Sequence, residues 1–289
     1  VNEIMNSNPL SASDKNDRAT LLEIMRANQI HQIPVLDNEE KVIGIETIDN
    51  LLMKNARVEN RVVLMAGGLG ARLRPLTNNT PKPLLEIGGK PLLETILEKT
   101  SEQGFYKFCI AVNYLAESIK NRLGDGSRWN TQICYLEELK PLGTAGALSL
   151  ITNRPKEPLI VMNGDLLTKI NLCQLLDFHN SHGAAMTVGV REHDFQVPYG
   201  IVSLADGWIN SIDEKPIHRT FVNAGIYILN PEILDTLEYD KPIDMPDLIS
   251  ILQSKKENIA AFPIIEYWLD IGSPKDLERA NQEFHEQFS

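Results

Sequence analysis

Cysteine is scarce in this chain: three in 289 residues, Cys109, Cys134 and Cys173. They lie far apart, with no C-x-x-C spacing and no histidine at zinc-ligand intervals, so neither a disulfide framework nor a structural metal is expected and the thiols read as reduced and buried. No apolar run approaches the roughly 18 residues of a membrane helix. The amino terminus VNEIMNSNPLSASDKND is polar, without a basic start leading into an apolar stretch. A cytoplasmic, soluble protein with no membrane partner is the expectation, although a first residue of Val rather than Met suggests that some natural sequence precedes it. Basic residues are in deficit, 28 against 39 acidic for a net charge of −11. That argues against a nucleic-acid partner while leaving room for a local basic cleft around a small phosphorylated ligand. His179 and His182 could share a helix face, but no Glu or Cys completes a metal site beside them, and a polar helix end explains them as well.

What is present fits ordinary globular composition: 43% hydrophobic and 23% charged residues, enough to build a sizeable core. The length suggests about two domains. Residues 1–58 read as helix, strand, turn, strand, helix. The run DRATLLEIMRANQI has helical spacing, with Asp17 able to cap it. The runs IPVLD and KVIGIET are parted by Asp37, Asn38, Glu39 and Glu40, and a short helical stretch, IDNLLMK, follows. So small a unit buries little core unaided, so packing on a partner copy is expected. The order of its helix and its HQIPVLD and VIGIET strands resembles the cystathionine-beta-synthase (CBS) repeat, present here once although such repeats come in tandem, which implies a truncated unit. In that family an Asp three residues after the Thr of the second strand often holds a ribose; here that place is Asn50, with Asp49 one residue early. A structural or dimerising role is therefore favoured over nucleotide sensing.

The polar stretch KNARVEN links this unit to residues 60–289, where the texture changes. RVVLMAGG, PLLETILEKTSEQG, YKFCIAVNY, LAESIKNRLG, TQICYLEE, AGALSLITN and PLIVMNGD alternate apolar runs with helical stretches. This predicts an α/β, Rossmann-like, mostly parallel sheet covered by helices on both faces. Farther on, AAMTVGVRE, YGIVSLADGWINSIDEKP and FVNAGIYILN predict an antiparallel or mixed extension with a hairpin at Asp206-Gly207.

The sharpest motif is LMAGGLGARLRPLTNNTPKPLLE. A strand runs into Ala66, Gly67, Gly68, Leu69 and Gly70, and glycines at a strand's carboxyl end let backbone N–H groups approach an anion. Neither a P-loop nor a dinucleotide fingerprint fits, since no G-K-[ST] and no third helix-opening glycine follow. Arg72 and Lys82, the latter fixed between Pro81 and Pro83, can neutralise charge on a leaving pyrophosphate.

The pattern G-G-x-G-x-R-L-x-P-L-T followed by P-K-P-L resembles the signature of sugar-1-phosphate nucleotidylyltransferases, over Arg61 to about Gln282. The resemblance implies a glycosyltransferase-A-like fold, with Arg72 and Lys82 as the catalytic, triphosphate-binding cations. Asp165 of Asn163-Gly164-Asp165 ends one apolar run, and Asp270 comes from Trp268-Leu269-Asp270-Ile271-Gly272. As a pair they supply hard oxygen ligands for Mg²⁺. The resemblance places the sugar pocket at Gly200, Glu214, Lys215 and Asn223, on the later strands, with Lys215 on the sugar's phosphate. It places the base-reading loop at Glu137, Glu138, Gly143 and Thr144. Thymidylyl and many uridylyl relatives carry a Gln ahead of this loop, whereas guanylyl relatives resemble the L-G-T-A-G form. A carboxylate accepts from guanine N1–H and its exocyclic amine, which favours GTP, with Glu138 ahead of Glu137.

The activity so implied is transfer of GMP from GTP to a hexose- or amino-sugar-1-phosphate, such as glucosamine- or mannose-1-phosphate, with heptose-1-phosphate also open. The domain order resembles guanylyltransferases of nonulosonic (legionaminic-type) acid pathways. A homo-oligomer, formed through the CBS-like unit, is expected. The alternatives are a uridylyl- or thymidylyltransferase of the same fold, a catalytically idle nucleotide-sugar-binding regulator, and a transferase acting on an alcohol phosphate such as choline.

Overall fold

The computed structural model describes residues 9–48, 51 and 57–288, without the side chains of residues 18 and 19. It divides into two compact units, residues 1–58 with 102–104 and residues 59–101 with 105–289. In the first, strand β1 (Ala12–Ser13) precedes helix α1 (Arg18–Ala27), and strands β2 (Gln32–Leu36) and β3 (Val42–Thr47) follow. Asp17 caps α1 by accepting from the Thr20 N–H at 2.9 Å. The sheet order is β1-β2-β3, with β2 and β3 antiparallel, and Leu21, Met25, Ile33 and Leu51 form the core. Val42, Ile43 and Ile45 on β3 remain exposed. Asp49 and Asn50 and most of IDNLLMK lie outside the described residues.

The second unit is built on a seven-stranded mixed sheet. Its strands are β4 (Val58–Met65), β7 (Phe105–Val112), β8 (Gln132–Glu137), β9 (Leu159–Asn163), β11 (Met186–Gln196), β14 (Ile217–Leu229) and β15 (Ile259–Pro263), in the order β15-β11-β14-β9-β4-β7-β8. β4 with β9, β7 with β8 and β11 with β15 pair in parallel, whereas β14 is antiparallel to both its neighbours. The unalternating apolar runs follow from this: Leu159 to Met162 on β9 are all buried, as strands covered on both faces must be. Smaller pairs join β5 (Glu86–Ile87) to β6 (Lys90–Pro91), β10 (Leu166–Thr168) to β16 (Trp268–Asp270), and β12 (Ile201–Ala205) to β13 (Trp208–Asp213). The helices are α2 (Leu92–Ser101), α3 (Ala116–Leu123), a single turn α4 (Gly143–Gly146), α5 (Leu172–His182), α6 (Met245–Ser254) and α7 (Pro274–Phe288). Among the described residues no helix is long and apolar enough to cross a membrane.

Two expectations are corrected. Cys109 and Cys134 are joined as a disulfide rather than being separate reduced thiols, because the parallel register of β7 and β8 makes them partners with Cα atoms 4.7 Å apart; Cys173 is free. Gly200, Glu214 and Lys215 do not lie on strands. Gly200 falls between β11 and β12. Glu214 and Lys215 fall between β13 and β14, where Lys215 adopts a left-handed φ of 49° that no extended strand contains.

His179 is a core histidine, its ring nitrogens bonded to Thr187 Oγ1 at 2.8 Å and Asn230 Oδ1 at 3.0 Å. Burial lowers its pKa from the ordinary 6.5, against the opposing effect of Asn230. A histidine with a depressed folded pKa contributes its stability above the unfolded value and loses it as pH falls through the folded one. Denaturant unfolding from pH 7.5 to 5 should therefore show a stability loss that His179→Gln diminishes.

Candidate active site

Four segments meet at the carboxyl edge of the sheet. The glycine loop leaves β4 at Met65. Ala66, buried, donates its N–H to the Ala111 carbonyl of β7 at 2.9 Å, fixing the loop's origin. Gly68 has open space where a Cβ would stand. Gly70 has a left-handed φ of 61°, and its carbonyl accepts from the Thr77 hydroxyl at 2.8 Å. A side chain at Gly70 would also meet Thr77 at 2.9 Å and Lys82 at 3.1 Å, so glycine is needed for conformation and space. Thr77 is fully buried. No separate role for it was legible, although it stands within the P-L-T of the motif.

Lys82 opens a 3-10 turn, Lys82–Leu84, and is mostly buried. Its ammonium is bonded to Asp165 Oδ2. Asp165 follows β9 by two residues and is positioned by close backbone contact: Gly164 N–H donates to the Met65 carbonyl at 2.8 Å, and Ile271 N–H to the Asp165 carbonyl at 3.1 Å. Asp270 enters from β16, where it is the register partner of Leu166. Burial first, and then the charge of Asp165, push its carboxyl upward in pKa, while Lys82 and Arg72 pull it down. The Arg72 guanidinium lies over Gly272, 3.2 Å from where a Cβ would stand there. Gly68, Gly70, Arg72, Lys82, Asp165 and Gly272 line a cleft of about 340 Å³. The Arg72 guanidinium packs on the bare Cα of Gly272, a glycine whose part the sequence does not signal.

The fit of a cation can be judged from these groups. Asp165 Oδ1 is buried without any hydrogen-bond partner, and a second carboxylate raises the local negative charge. Among the described residues no cluster of three or more His, Cys, Asp or Glu suited to a metal occurs. Two carboxylates beside an open cleft suit a hard cation that takes its remaining ligands from substrate and water.

At the neighbouring strand end, adjacent glutamates part company as strand alternation requires. Glu137 is ion-paired with Lys120 at 2.7 Å. Glu138 turns to the glycine loop: its Oε1 is 2.6 Å from the place of a Gly67 Cβ, and its Oε2 accepts the Leu142 N–H at 2.8 Å. Burial raises its pKa. Asn113, unremarked in the sequence, donates to the Glu138 carbonyl at 2.6 Å. Gly143 and Thr144 lie against the start of α6: Thr144 N–H donates to Asp244 Oδ1 at 2.9 Å, and its hydroxyl accepts the Met245 N–H at 2.8 Å. Gly143, at φ 77°, has no room for a Cβ beside Asp244 and Ile243.

Of the four residues expected around a sugar, Gly200 and Glu214 stand together. Glu214 Oε2 stands 2.8 Å from the place of a Gly200 Cβ, so these two are adjacent, with Lys215 next in chain. Asn223 is on β14, its side chain accepting the Gly225 N–H at 3.0 Å. Gly225 in turn packs against Asn163, at the end of β9.

The family model described as nucleotidyl transferase matches residues 61–287, and the CBS domain model matches residues 1–54. The mannose-1-phosphate guanylyltransferase catalytic subunit beta of Drosophila pseudoobscura pseudoobscura is 36% identical over 224 residues, covering 75% of this chain and 60% of that protein. The mannose-1-phosphate guanyltransferase of Candida albicans is 34% identical, covering 74% and 62%. The chain thus spans about 60% of the length of the curated relatives it matches. Among solved structures, HddC from Yersinia pseudotuberculosis superposes with a TM-score of 0.62 at 29% identity, over 78% of this chain and 99% of that one. HddC complexed with GMP-PN gives a TM-score of 0.62 at 28% identity, with the same coverage.

The close backbone approach that sets Asp165 is directly testable. A Cβ on Gly164 would stand 2.7 Å from the Met65 carbonyl oxygen. Gly164→Ala should lower unfolding stability by about 1–3 kcal/mol, read by thermal or denaturant melts.

Proposed function

The chain belongs to the nucleotidyl transferase family, and from that premise we propose that it transfers GMP from GTP to a sugar-1-phosphate, releasing pyrophosphate. The observation that carries this reading is the convergence of Arg72, Lys82 and Asp165 with the glycine loop on one cleft, and of Asp270 beside it. A phosphate oxygen of the sugar-1-phosphate attacks the α-phosphorus in line as the bond to the β-phosphate oxygen breaks, and pyrophosphate departs. The nucleophile is already ionised, so no general base is required and positioning with charge neutralisation supplies the catalysis.

In this reading the open face of Gly68 and the loop's backbone N–H groups receive the triphosphate. Arg72 and Lys82 neutralise its β and γ groups, with Lys82 leaving its Asp165 partner to do so. Asp165 and Asp270 hold a Mg²⁺ ion, which when bound supplies neutralisation of phosphate charge; the unpartnered Asp165 Oδ1 supports that assignment. Glu138 reads the base. Since Oε2 already holds Leu142, acceptance from guanine falls chiefly to Oε1, beside Gly67. The catalytic subunit from Drosophila is named a mannose-1-phosphate guanylyltransferase and HddC was solved with GMP-PN, which favours GTP over UTP or TTP. Lys215 is assigned to the phosphate of the sugar-1-phosphate, Glu214 and Asn223 to the sugar's hydroxyls, and Gly200 to close backbone approach. Residues 1–58 act as a single CBS-like unit that joins copies of the chain.

The test is pyrophosphate release across GTP, UTP, TTP, CTP and ATP against glucosamine-, mannose-, glucose- and heptose-1-phosphate. GTP should dominate, and leading turnover with UTP would overturn the base assignment. Lys82→Ala should lower kcat on the order of 10² or more. Glu138→Gln should erode the preference for GTP by roughly tenfold or more while leaving the fold intact, since a neutral amide replaces a charged acceptor.

A further inference from the structure

Helix α6 begins with an aspartate that it does not use. An N-cap side chain ordinarily accepts the backbone N–H two or three residues on. Here those places are Pro246, which has no N–H, and Asp247, whose N–H donates to the Asp244 backbone carbonyl at 3.1 Å. The Asp244 carboxylate makes no capping bond to its own helix. Its Oδ1 instead accepts from a residue a hundred positions earlier, the Thr144 N–H at 2.9 Å and the Thr144 hydroxyl at 3.2 Å. That hydroxyl in turn accepts the Met245 N–H at 2.8 Å, the first donor of α6. The single turn α4 has Leu142 at its own N-cap, which carries no side-chain acceptor. Each element thus caps the other. Backbone bonds follow the same seam: Ile243 N–H donates to the Leu142 carbonyl at 2.9 Å, and Ala145 and Gly146 N–H to the Ile243 carbonyl at 3.1 and 3.0 Å.

The turn held in this way starts at Leu142, whose N–H donates to Glu138 Oε2 at 2.8 Å. The two halves of Glu138 therefore have different anchors. Its backbone is fixed from the end of β7, with its N–H on the Val112 carbonyl at 2.9 Å and its carbonyl accepting from Asn113 at 2.6 Å. Its carboxylate is oriented from the turn, which leaves Oε1 beside Gly67. The glycine loop has supports of its own, the Ala111 carbonyl under Ala66 and the Thr77 hydroxyl on Gly70. Loosening the turn from outside would redirect the carboxylate and leave that loop in place.

We propose that Asp244 is a positioning residue for nucleotide selection: by capping the turn at Thr144 it sets the direction of the Glu138 carboxylate, and so the discrimination among bases. This rests on the proposed function for the role of Glu138. Binding of GTP, UTP and inorganic pyrophosphate is measured by calorimetry, and kcat and KM by pyrophosphate release. Asp244→Ala should weaken GTP by about tenfold, in Kd and KM alike, and narrow its margin over UTP. Affinity for pyrophosphate, kcat and the KM for sugar-1-phosphate should stay within about twofold of wild type, because the phosphate loop is untouched. Asp244→Asn should restore the margin, since its amide oxygen can accept both Thr144 donors. Asp247→Ala removes the same charge from the same helix end and should leave the margin as it is. A role in stability alone would lower the melting temperature and keep the margin of GTP over UTP, and that outcome overturns the proposal. So does a loss of pyrophosphate affinity in parallel with GTP. If Asp244→Ala does not fold by circular dichroism, Thr144→Val, which deletes only the hydroxyl, is held to the same outcomes. A wild-type protein that releases no pyrophosphate from any substrate pair, but whose GTP margin in binding falls on Asp244→Ala, would refute the transferase reading and leave the positioning role standing. A wild-type protein that binds GTP no better than UTP overturns the role of Glu138 and this proposal with it.

Discussion

Two carboxylates lie beside one another at a partly buried edge, and the rest of the site is arranged to make that tolerable. Asp165 and Asp270 repel, and burial worsens the repulsion by removing water from the charged form. The ammonium of Lys82 and the guanidinium of Arg72 offset part of the cost. Asp165 Oδ1 still has no partner. A buried acceptor left in that condition is unfavourable by about 1–3 kcal/mol. Under the proposed function a cation held by Asp165 and Asp270 would relieve both defects, so that ligand binding and removal of this local cost would coincide.

The backbone around those carboxylates is correspondingly over-determined. Gly164 is pressed on Met65, Ile271 is bonded to Asp165, and β16 is registered on β10 so that Asp270 falls opposite Leu166. None of these contacts has a partner near in sequence. They depend on β4 and β9 lying side by side in parallel, which places the ends of both strands at the same edge.

Local features were legible and non-local ones were not. The Asp17 cap, the two strands of the first unit, the buried parallel strands and the Asp206-Gly207 hairpin turn follow from side-chain period and turn chemistry within a few residues. The glycine loop and its cations were legible because glycine and proline restrict the chain visibly. The pairing of Cys109 with Cys134 was not, since the register of parallel strands is set by loops and sheet packing far from either thiol. For the same reason the sequence could not show that Asp244 would occupy Thr144, or that His179 would be enclosed by Thr187 and Asn230. Glu214 and Lys215 close a stretch that reads as strand in the sequence, and the left-handed backbone at Lys215 ends it there.

The bare Cα of Gly67 has an implication for altering this molecule. It lets the Glu138 carboxylate nest directly on the glycine loop, with no side chain between them. Under the proposed function, discrimination among bases and grip on the phosphates would share this one wall, and remodelling it from the loop side would damage both together. A route that avoids the loop runs through the Leu142 backbone N–H that holds Glu138 Oε2, because Asn113, which donates to the Glu138 carbonyl, itself packs on Gly67.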